Sequence, residues 1–238
     1  KGVEISRGSV MTGHLLAMNP GTIEKEIEGI HTKEPTFGLP AVWILTSEKQ
    51  SAQMAGYTVV DPSTVITTHI KETIKRHASE LLGRQETQAL IDKFKESNPK
   101  VIEELIPDVL SLGKVQKVLQ NLLKEKVSIR DLRTILEQLA DYAPSTKDTD
   151  ILTEYVRQAM ARPITKQFQS TDGSLSVMTL DRQVEELIHN SIQKTELASF
   201  LSLEPTVAEK LLIKLQEAVE IINPTLESSP VLLASPGI

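Results

Sequence analysis

The chain has 238 residues and no cysteine, which excludes disulfides, thiolate nucleophiles, zinc fingers and iron–sulfur clusters. Aromatic residues make up only 3% of it, so the core must be aliphatic and stacking platforms for single-stranded nucleic acid are lacking. The longest apolar run, Gly38 to Leu45, is far below the ~18 residues that cross a bilayer. A net charge of -6, with no local basic patch to offset it, argues against nucleic acid as a partner.

Catalytic motifs are also lacking. There is no phosphate-binding glycine loop, no Gly-x-Ser-x-Gly elbow and no histidine pair at metal-ligand spacing. His69 and His77 are eight residues apart on one predicted helix, too far to share a metal. A hydrolase using His69 with Asp61 or Glu72 stays as an alternative, although neither pair has a nucleophile or an oxyanion motif. The sequence therefore predicts a protein that is not an enzyme and holds no metal or cofactor.

The first 61 residues have the pattern of a small α+β unit. Val3 and Ile5 alternate with polar residues as in a strand, and Asn19-Pro-Gly predicts a turn. The runs 38–45 and 57–60 read as further strands, with a helix of one or two turns over 50–55 between them.

A helix is predicted after this unit, with Asp61 as its N-cap and Pro62 as its first residue. An apolar stripe follows at helical spacing and ends at Gly83, a glycine that predicts the end of the helix. The stripe residues are Ile66, Ile70, Ile74, Ala78 and Leu81.

Several helical stripes follow over 84–161 with little strand signal, which predicts a compact all-α unit. Ser128-x-x-Asp131 resembles a capping box inside it. After 162 the pattern mixes strands over 174–178 and 231–234 with helices over 181–192 and 207–222, and we expect the last strand to lack a partner. The predicted fold class is α+β with several subdomains, in which small α/β subdomains flank the helical one.

Phe37 is the residue whose position is hardest to explain by packing alone. It lies among turn-forming residues in Thr32-Lys-Glu-Pro-Thr-Phe-Gly-Leu-Pro40. Such a phenylalanine is either a core plug that a loop supplies or an exposed residue that binds a ligand. A polar set, Thr67 to His69, lies beside the apolar stripe of the following helix and is read as ordinary amphipathicity.

Long strings of the sequence, in one order, resemble the C-terminal cytoplasmic domain of the FlhA family, the large export-gate subunits of flagellar type III secretion. The strings are Gly38–Ile44, Ala55–Ile66, Thr68–His69 and Leu81–Glu86, with Lys1–Glu4, Met18–Gly21 and Ser229–Pro236. The resemblance covers essentially the whole chain.

This resemblance implies four subdomains and a place in a larger protein. The first subdomain would be 1–12 with 62–81, the second an insertion at 13–61, the third 82–161 and the fourth 162–238. Because the chain starts without Met and stops just after a strand-like run, we expect a fragment. The membrane-spanning half and the ends of the first and fourth subdomains would be absent.

The resemblance also implies a function, as a docking platform at the cytoplasmic face of the bacterial inner membrane. It would receive export chaperones with their late substrates, contact other export components and form a nonameric ring. The chaperone would dock in a hydrophobic dimple between the first two subdomains, with Glu34 as a salt-sensitive rim charge. The five implied residues are Glu34, Phe37, Val60, Val65 and Thr68. Glu34 stands where the family has Asp, which lengthens the arm of the charge.

Two further alternatives stay open at this stage. One is the export gate of a virulence injectisome, and the other is a generic helical scaffold that binds its partner through residues 84–161.

Overall fold

The computed structural model describes residues 2–21, 23, 25–170, 172–194, 199–222, 230–235 and 238. The chain divides into two compact units, one of residues 1–82 with 123–126 and one of residues 83–122 with 127–238. The strands and helices up to residue 81 are His14–Met18 (β1), Ile30–Lys33 (β2), Pro40–Leu45 (β3), Lys49–Met54 (α1), Thr58–Val60 (β4), Pro62–Arg76 (α2) and Ala78–Leu81 (α3). A short 3-10 turn, Thr46–Glu48, joins β3 to α1.

A four-stranded sheet in the order β2-β3-β1-β4 forms the centre of the first unit. All its pairings are antiparallel, with Leu16 opposite both Trp43 and Val60. β1 and β2 were not predicted as separate strands. In β1 the run Leu15-Leu16-Ala17 packs against hydrophobic residues on both faces, so the alternation that marks a half-exposed strand is missing.

The two faces of the sheet carry different hydrophobic clusters, because side chains alternate along each strand. One face packs against α1 and Tyr57, through the buried residues Ala17, Val42, Ile44, Ala52 and Tyr57. The other face packs against α2, through Leu16, Ala41, Trp43 and Val65, with Met11, Met18 and Val60 at its margin.

α2 begins as the sequence predicts, with the Asp61 carboxylate accepting a hydrogen bond from the Thr64 amide and Pro62 in the first turn. Its apolar stripe is largely exposed, however. Ile66, Ile70 and Ile74 are 44%, 52% and 53% exposed, whereas Val65 is buried against the sheet. The helix also ends at Arg76, before Gly83, and Leu81 at the end of α3 is exposed.

The segment before β1 does not form the predicted strand. Residues 2–11 have no regular secondary structure, and Val3 and Ile5 are 81% and 59% exposed. An alternating pattern needs a neighbouring strand to supply hydrogen bonds, and no described residue pairs with this segment in a sheet.

The second unit contains the predicted helical part. Its helices are Arg84–Lys95 (α4), Pro99–Leu105 (α5), Leu112–Lys124 (α6), Leu132–Tyr142 (α7), Thr149–Ala159 (α8) and Ala161–Phe168 (α9). Most of the predicted stripe residues of α6 and α7 are buried, including Val115, Leu119, Ile135 and Leu139. In α8 the stripe is only partly buried, because Leu152 and Val156 are in the core whereas Ile151 is 39% exposed. The cap of α7 is Asp131, which accepts from the Thr134 amide, so the predicted capping box at Ser128 lies outside the helix.

The rest of the second unit mixes strands and helices, as Val177–Thr179 (β5), Arg182–Ser191 (α10), Ile192–Lys194 (β6), Ser199–Leu201 (β7), Pro205–Ile222 (α11) and Val231–Leu233 (β8). β8 pairs in parallel with β5, which corrects the expectation that the last strand lacks a partner. β6 and β7 form an antiparallel pair that the sequence pattern does not predict. α9 contains Pro163 within its first turn, where a missing amide hydrogen costs little.

The multi-subdomain α+β class is confirmed. The four subdomains with their boundaries stay a prediction. Among the described residues, none of the helices combines the length and the apolar character that a membrane span requires.

Candidate functional site

A tight turn between β2 and β3 positions the first two of the five implied residues. The Glu34 amide donates to the Leu39 carbonyl (2.9 Å) and the Gly38 amide donates to the Glu34 carbonyl (2.9 Å). Gly38 has φ +73°, a conformation that glycine adopts without the steric cost of a β-carbon. The turn therefore has a defined backbone shape, with Phe37 at its tip.

The Glu34 side chain lies inside this turn. Its carboxylate oxygen Oε2 accepts from the amides of Thr36 (3.0 Å) and Phe37 (2.6 Å), and the residue is only 3% exposed. The expectation that Glu34 is a charge at the rim of the site is therefore wrong. Hydrogen bonds from backbone amides to a buried carboxylate are among the stronger ones in proteins, so Glu34 fixes the turn that carries Phe37.

Phe37 itself is 63% exposed. A core plug would be buried, so this observation removes that alternative and leaves an exposed aromatic ring on a rigid turn. Leu39, at the other side of the turn, is 38% exposed and adds apolar surface. Aromatic side chains on rigid supports bind partners at low entropic cost.

Val60 and Val65 belong to the hydrophobic cluster on the α2 face of the sheet. Val60 is half-buried at its margin, and Val65 is only 3% exposed among Leu16, Ala41 and Trp43. Val65 therefore offers almost no surface to a partner, and it acts by holding α2 against the sheet. Thr32 is paired with Ala41, so its side chain lies on this same face of the sheet. Glu34 is two residues further along and opposite Leu39, so it lies on this face as well.

Thr68 is half-buried on α2, one turn after Val65. Its neighbour His69 is also half-buried, whereas Thr67 and the isoleucine stripe are exposed. The turn and the helix are linked through the segment before β1. A β-carbon added at Gly8 would lie 3.0 Å from Pro35 Cβ and 3.6 Å from His69 Cδ2.

The start of α2 carries a strongly bound carboxylate. The pKa of Asp61 is lowered from 3.8 to about 2, chiefly by the Ser63 hydroxyl and then by the Thr64 amide and hydroxyl, all of which donate to it. These donors favour the charged form of the carboxyl group. Asp61 thus has a capping role.

The structure contains one feature that the hydrolase alternative requires, a serine hydroxyl next to the imidazole: Ser6 Oγ lies 3.0 Å from His69 Nε2. The other ring nitrogen, Nδ1, is buried without a hydrogen-bond partner among the described residues, so no acid orients the imidazole. Asp61 caps α2, and Glu72 accepts from Lys75 (2.7 Å). The described residues include no group of three or more side chains able to hold a metal ion.

A cavity of about 870 Å³ lies elsewhere, in the second unit. Its lining includes Ile151 and Tyr155 of α8, Ile188 of α10 and Leu211 of α11. None of the five implied residues lines it. The candidate site is instead the region of the Phe37 turn and α2, which we call the Phe37 surface and define by Glu34, Phe37, Val60, Val65 and Thr68. Phe37 is its exposed residue, Val60 and Thr68 are half-buried, and Glu34 and Val65 are buried beneath it.

Solved structures identify the class to which this fold belongs. The chain superposes with the nonameric SctV-C of enteropathogenic Escherichia coli at TM-score 0.72 and 28% identity, over 94% of this chain and 74% of that one. It superposes with the CdsV protein of Chlamydia pneumoniae at TM-score 0.76 and 26% identity, over 98% and 75% of the two chains. The fold is that of the C-terminal domains of these type III secretion proteins.

The chain belongs to the FHIPEP family, whose sequence profile matches residues 1–238. It is 50% identical to the flagellar biosynthesis protein FlhA of Bacillus subtilis over all 238 residues, and 45% identical to that of Escherichia coli K12 over 235 residues. It spans 35% and 33% of the length of these two relatives. The resemblance of the sequence to the FlhA family is thereby confirmed. The members of this family are transport components and not enzymes.

Proposed function

We propose that this chain is the cytoplasmic docking platform of a flagellar type III protein export gate, which receives export chaperones with their bound late substrates. The Phe37 surface is the docking site. Full-length relatives are about three times longer, so the platform works as part of a larger protein at the cytoplasmic face of the inner membrane.

The exposure of Phe37 carries this proposal. A phenylalanine that is 63% exposed on a glycine-shaped turn loses apolar hydration only when a partner covers it. The buried Glu34 carboxylate accepts hydrogen bonds from the Thr36 and Phe37 amides. These bonds hold the turn that carries the Phe37 ring, which reduces the entropy lost on binding. Thr68 on α2 would form the second side of the contact.

Partners other than chaperones include further copies of this chain and other export components. The related SctV-C and EscV cytosolic domains form nonamers, which supports a ring for the full-length protein. A complex of the related CdsV and CdsO proteins supports a contact with a second export component.

A flagellar gate is favoured over the injectisome alternative by sequence identity. Flagellar relatives reach 50% and 45%, whereas the solved SctV-C and CdsV chains reach 28% and 26%. The scaffold alternative puts the partner on residues 84–161, which belong to the other unit except for 123–126, so a variant in the Phe37 turn separates the two proposals.

The test measures binding of a purified flagellar export chaperone, loaded with its substrate, to the parent chain and to Phe37→Ala. Loss of an exposed hot-spot aromatic should weaken binding at least ~30-fold, while the melting temperature stays at the parent value. Leu45→Ala is the matched control, because Leu45 is 53% exposed at the opposite end of β3 and should bind like the parent. Equal affinities of the parent and Phe37→Ala would refute the docking site.

A further inference from the structure

We infer that residues 6–11, which we call the strap, are a third element of the Phe37 surface and hold its two sides in register. This inference rests on the proposed docking function. The strap precedes β1 and has no regular secondary structure, so its path must come from contacts with other elements.

Three contacts define that path. Ser6 Oγ is hydrogen-bonded to His69 Nε2 on α2 at 3.0 Å. Gly8 passes so close to the Phe37 turn that a β-carbon there would lie 3.0 Å from Pro35 Cβ, tighter than ordinary van der Waals contact. Met11 is half-buried against the cluster that includes Leu16, Trp43 and Val65.

Each contact lies next to a residue of the Phe37 surface. Pro35 is between Glu34 and Phe37 on the turn, and His69 directly follows Thr68 on the helix. One methyl group at Gly8 would touch both sides at once, because His69 Cδ2 is 3.6 Å from the same point. The strap therefore sets the spacing between the side that carries Phe37 and the side that carries Thr68.

His69 is suited to a positioning role. Its Nδ1 is buried and has no hydrogen-bond partner within the described ranges, so the tautomer with hydrogen on Nε2, which donates to Ser6 Oγ, leaves no buried N–H group unpaired. Burial of the unpaired Nδ1 costs free energy, and packing of the ring alone gives no reason for that cost. Gly8 has the complementary role, since its missing side chain allows the close approach.

The experiment compares chaperone binding by the 238-residue chain and four variants, two in the strap and two at His69, using the substrate-loaded chaperone as the probe. Gly8→Val should weaken binding ~10-fold or more, because the added branches push the turn from the helix. Ser6→Ala and His69→Leu should weaken it by about 3–10-fold, and His69→Gln, which retains a donor, should stay within about twofold of the parent. Ser9→Val is the control on an exposed strap residue and should bind like the parent.

A second background separates positioning from general destabilisation. Phe37→Leu removes the aromatic ring that the strap is inferred to position. In this background Gly8→Val should therefore weaken chaperone binding by less than about a further threefold. An equal loss in both backgrounds overturns the inference, and so does Gly8→Val binding as tightly as the parent. Ser6→Ala decides the matter if Gly8→Val does not fold, since it removes only an exposed hydroxyl. Failure of the parent to bind at all, or binding unaffected by Phe37→Ala, removes the docking function itself.

Discussion

Replacing Glu34 by alanine should loosen the Phe37 turn without removing any surface that a partner touches. The carboxylate accepts two backbone amides, from Thr36 at 3.0 Å and Phe37 at 2.6 Å, and Glu34 is 3% exposed. Alanine leaves both amide groups without their acceptor. The change therefore tests whether the turn, and not the charge, serves binding.

The magnitude follows from these two hydrogen bonds. A hydrogen bond to a charged group contributes about 1.5–3 kcal/mol, so the pair sets an upper limit of roughly 3–6 kcal/mol. Phe37 is exposed and Thr36 is half-buried, so water replaces part of the lost acceptor. We expect a loss of about 2 kcal/mol, near the upper end of the range for the loss of a helix N-cap.

Urea unfolding followed by tryptophan fluorescence measures this loss. Trp43 is the sole tryptophan, is 4% exposed and lies on β3, directly beyond the turn. Its signal therefore reports the first unit. Glu34→Gln should lose about half as much, because its amide oxygen still accepts but carries no charge. Glu28→Ala, an exposed glutamate of the same unit, is the control and should change stability by less than about 0.5 kcal/mol.

Chaperone binding by Glu34→Ala should fall about tenfold, and the fall should be the same at low and high salt because the carboxylate is not a partner contact. A loss of stability below about 0.5 kcal/mol would refute the structural role of Glu34. A loss of binding that disappears at high salt would restore the rim charge.

Three further predictions concern the same unit. Val65→Ala should cost about 1–3 kcal/mol in urea unfolding, because Val65 is buried between α2 and the sheet, and a cost near zero would contradict that packing. Thr68→Met should leave the urea midpoint unchanged and weaken chaperone binding, since Thr68 is half-buried and the longer side chain occupies the surface beside it; unchanged binding would exclude this side of the site. Because folding lowers the pKa of Asp61 from 3.8 to about 2, its cap stabilises fully above pH 3.8 and is lost as pH falls toward about 2. An NMR titration should give that midpoint, and Asp61→Asn should flatten the pH dependence of unfolding in this window.

The parts of the fold that local chemistry determines were predictable from the sequence. Asp61 and Pro62 mark the start of α2, and the 3.6-residue periodicity of α6 to α8 identifies buried residues such as Leu119 and Leu139. These signals need no knowledge of distant contacts, because a cap or an amphipathic face is encoded within one segment.

The errors come from tertiary context. Periodicity places Ile66, Ile70 and Ile74 on one face but does not say which face is against the sheet, and Val65 takes that place. Parallel pairing of β8 with β5 joins segments that are more than 50 residues apart, which no local pattern reveals. The role of Glu34 depends on where its carboxylate folds back, and a glutamate in a turn sequence gives no sign of that.

The isoleucines on α2 have a consequence for measurement. These three side chains are between 44% and 53% exposed and form a solvent-exposed aliphatic stripe on the folded chain. Dyes such as ANS fluoresce on such surface, and their fluorescence is commonly taken as a sign of a molten globule. For this chain the native state itself should bind the dye, so a dye-based melt would start from a high baseline and understate the unfolding transition. Ile70→Ser, which removes the middle of the stripe, should lower that baseline without shifting the Trp43 transition.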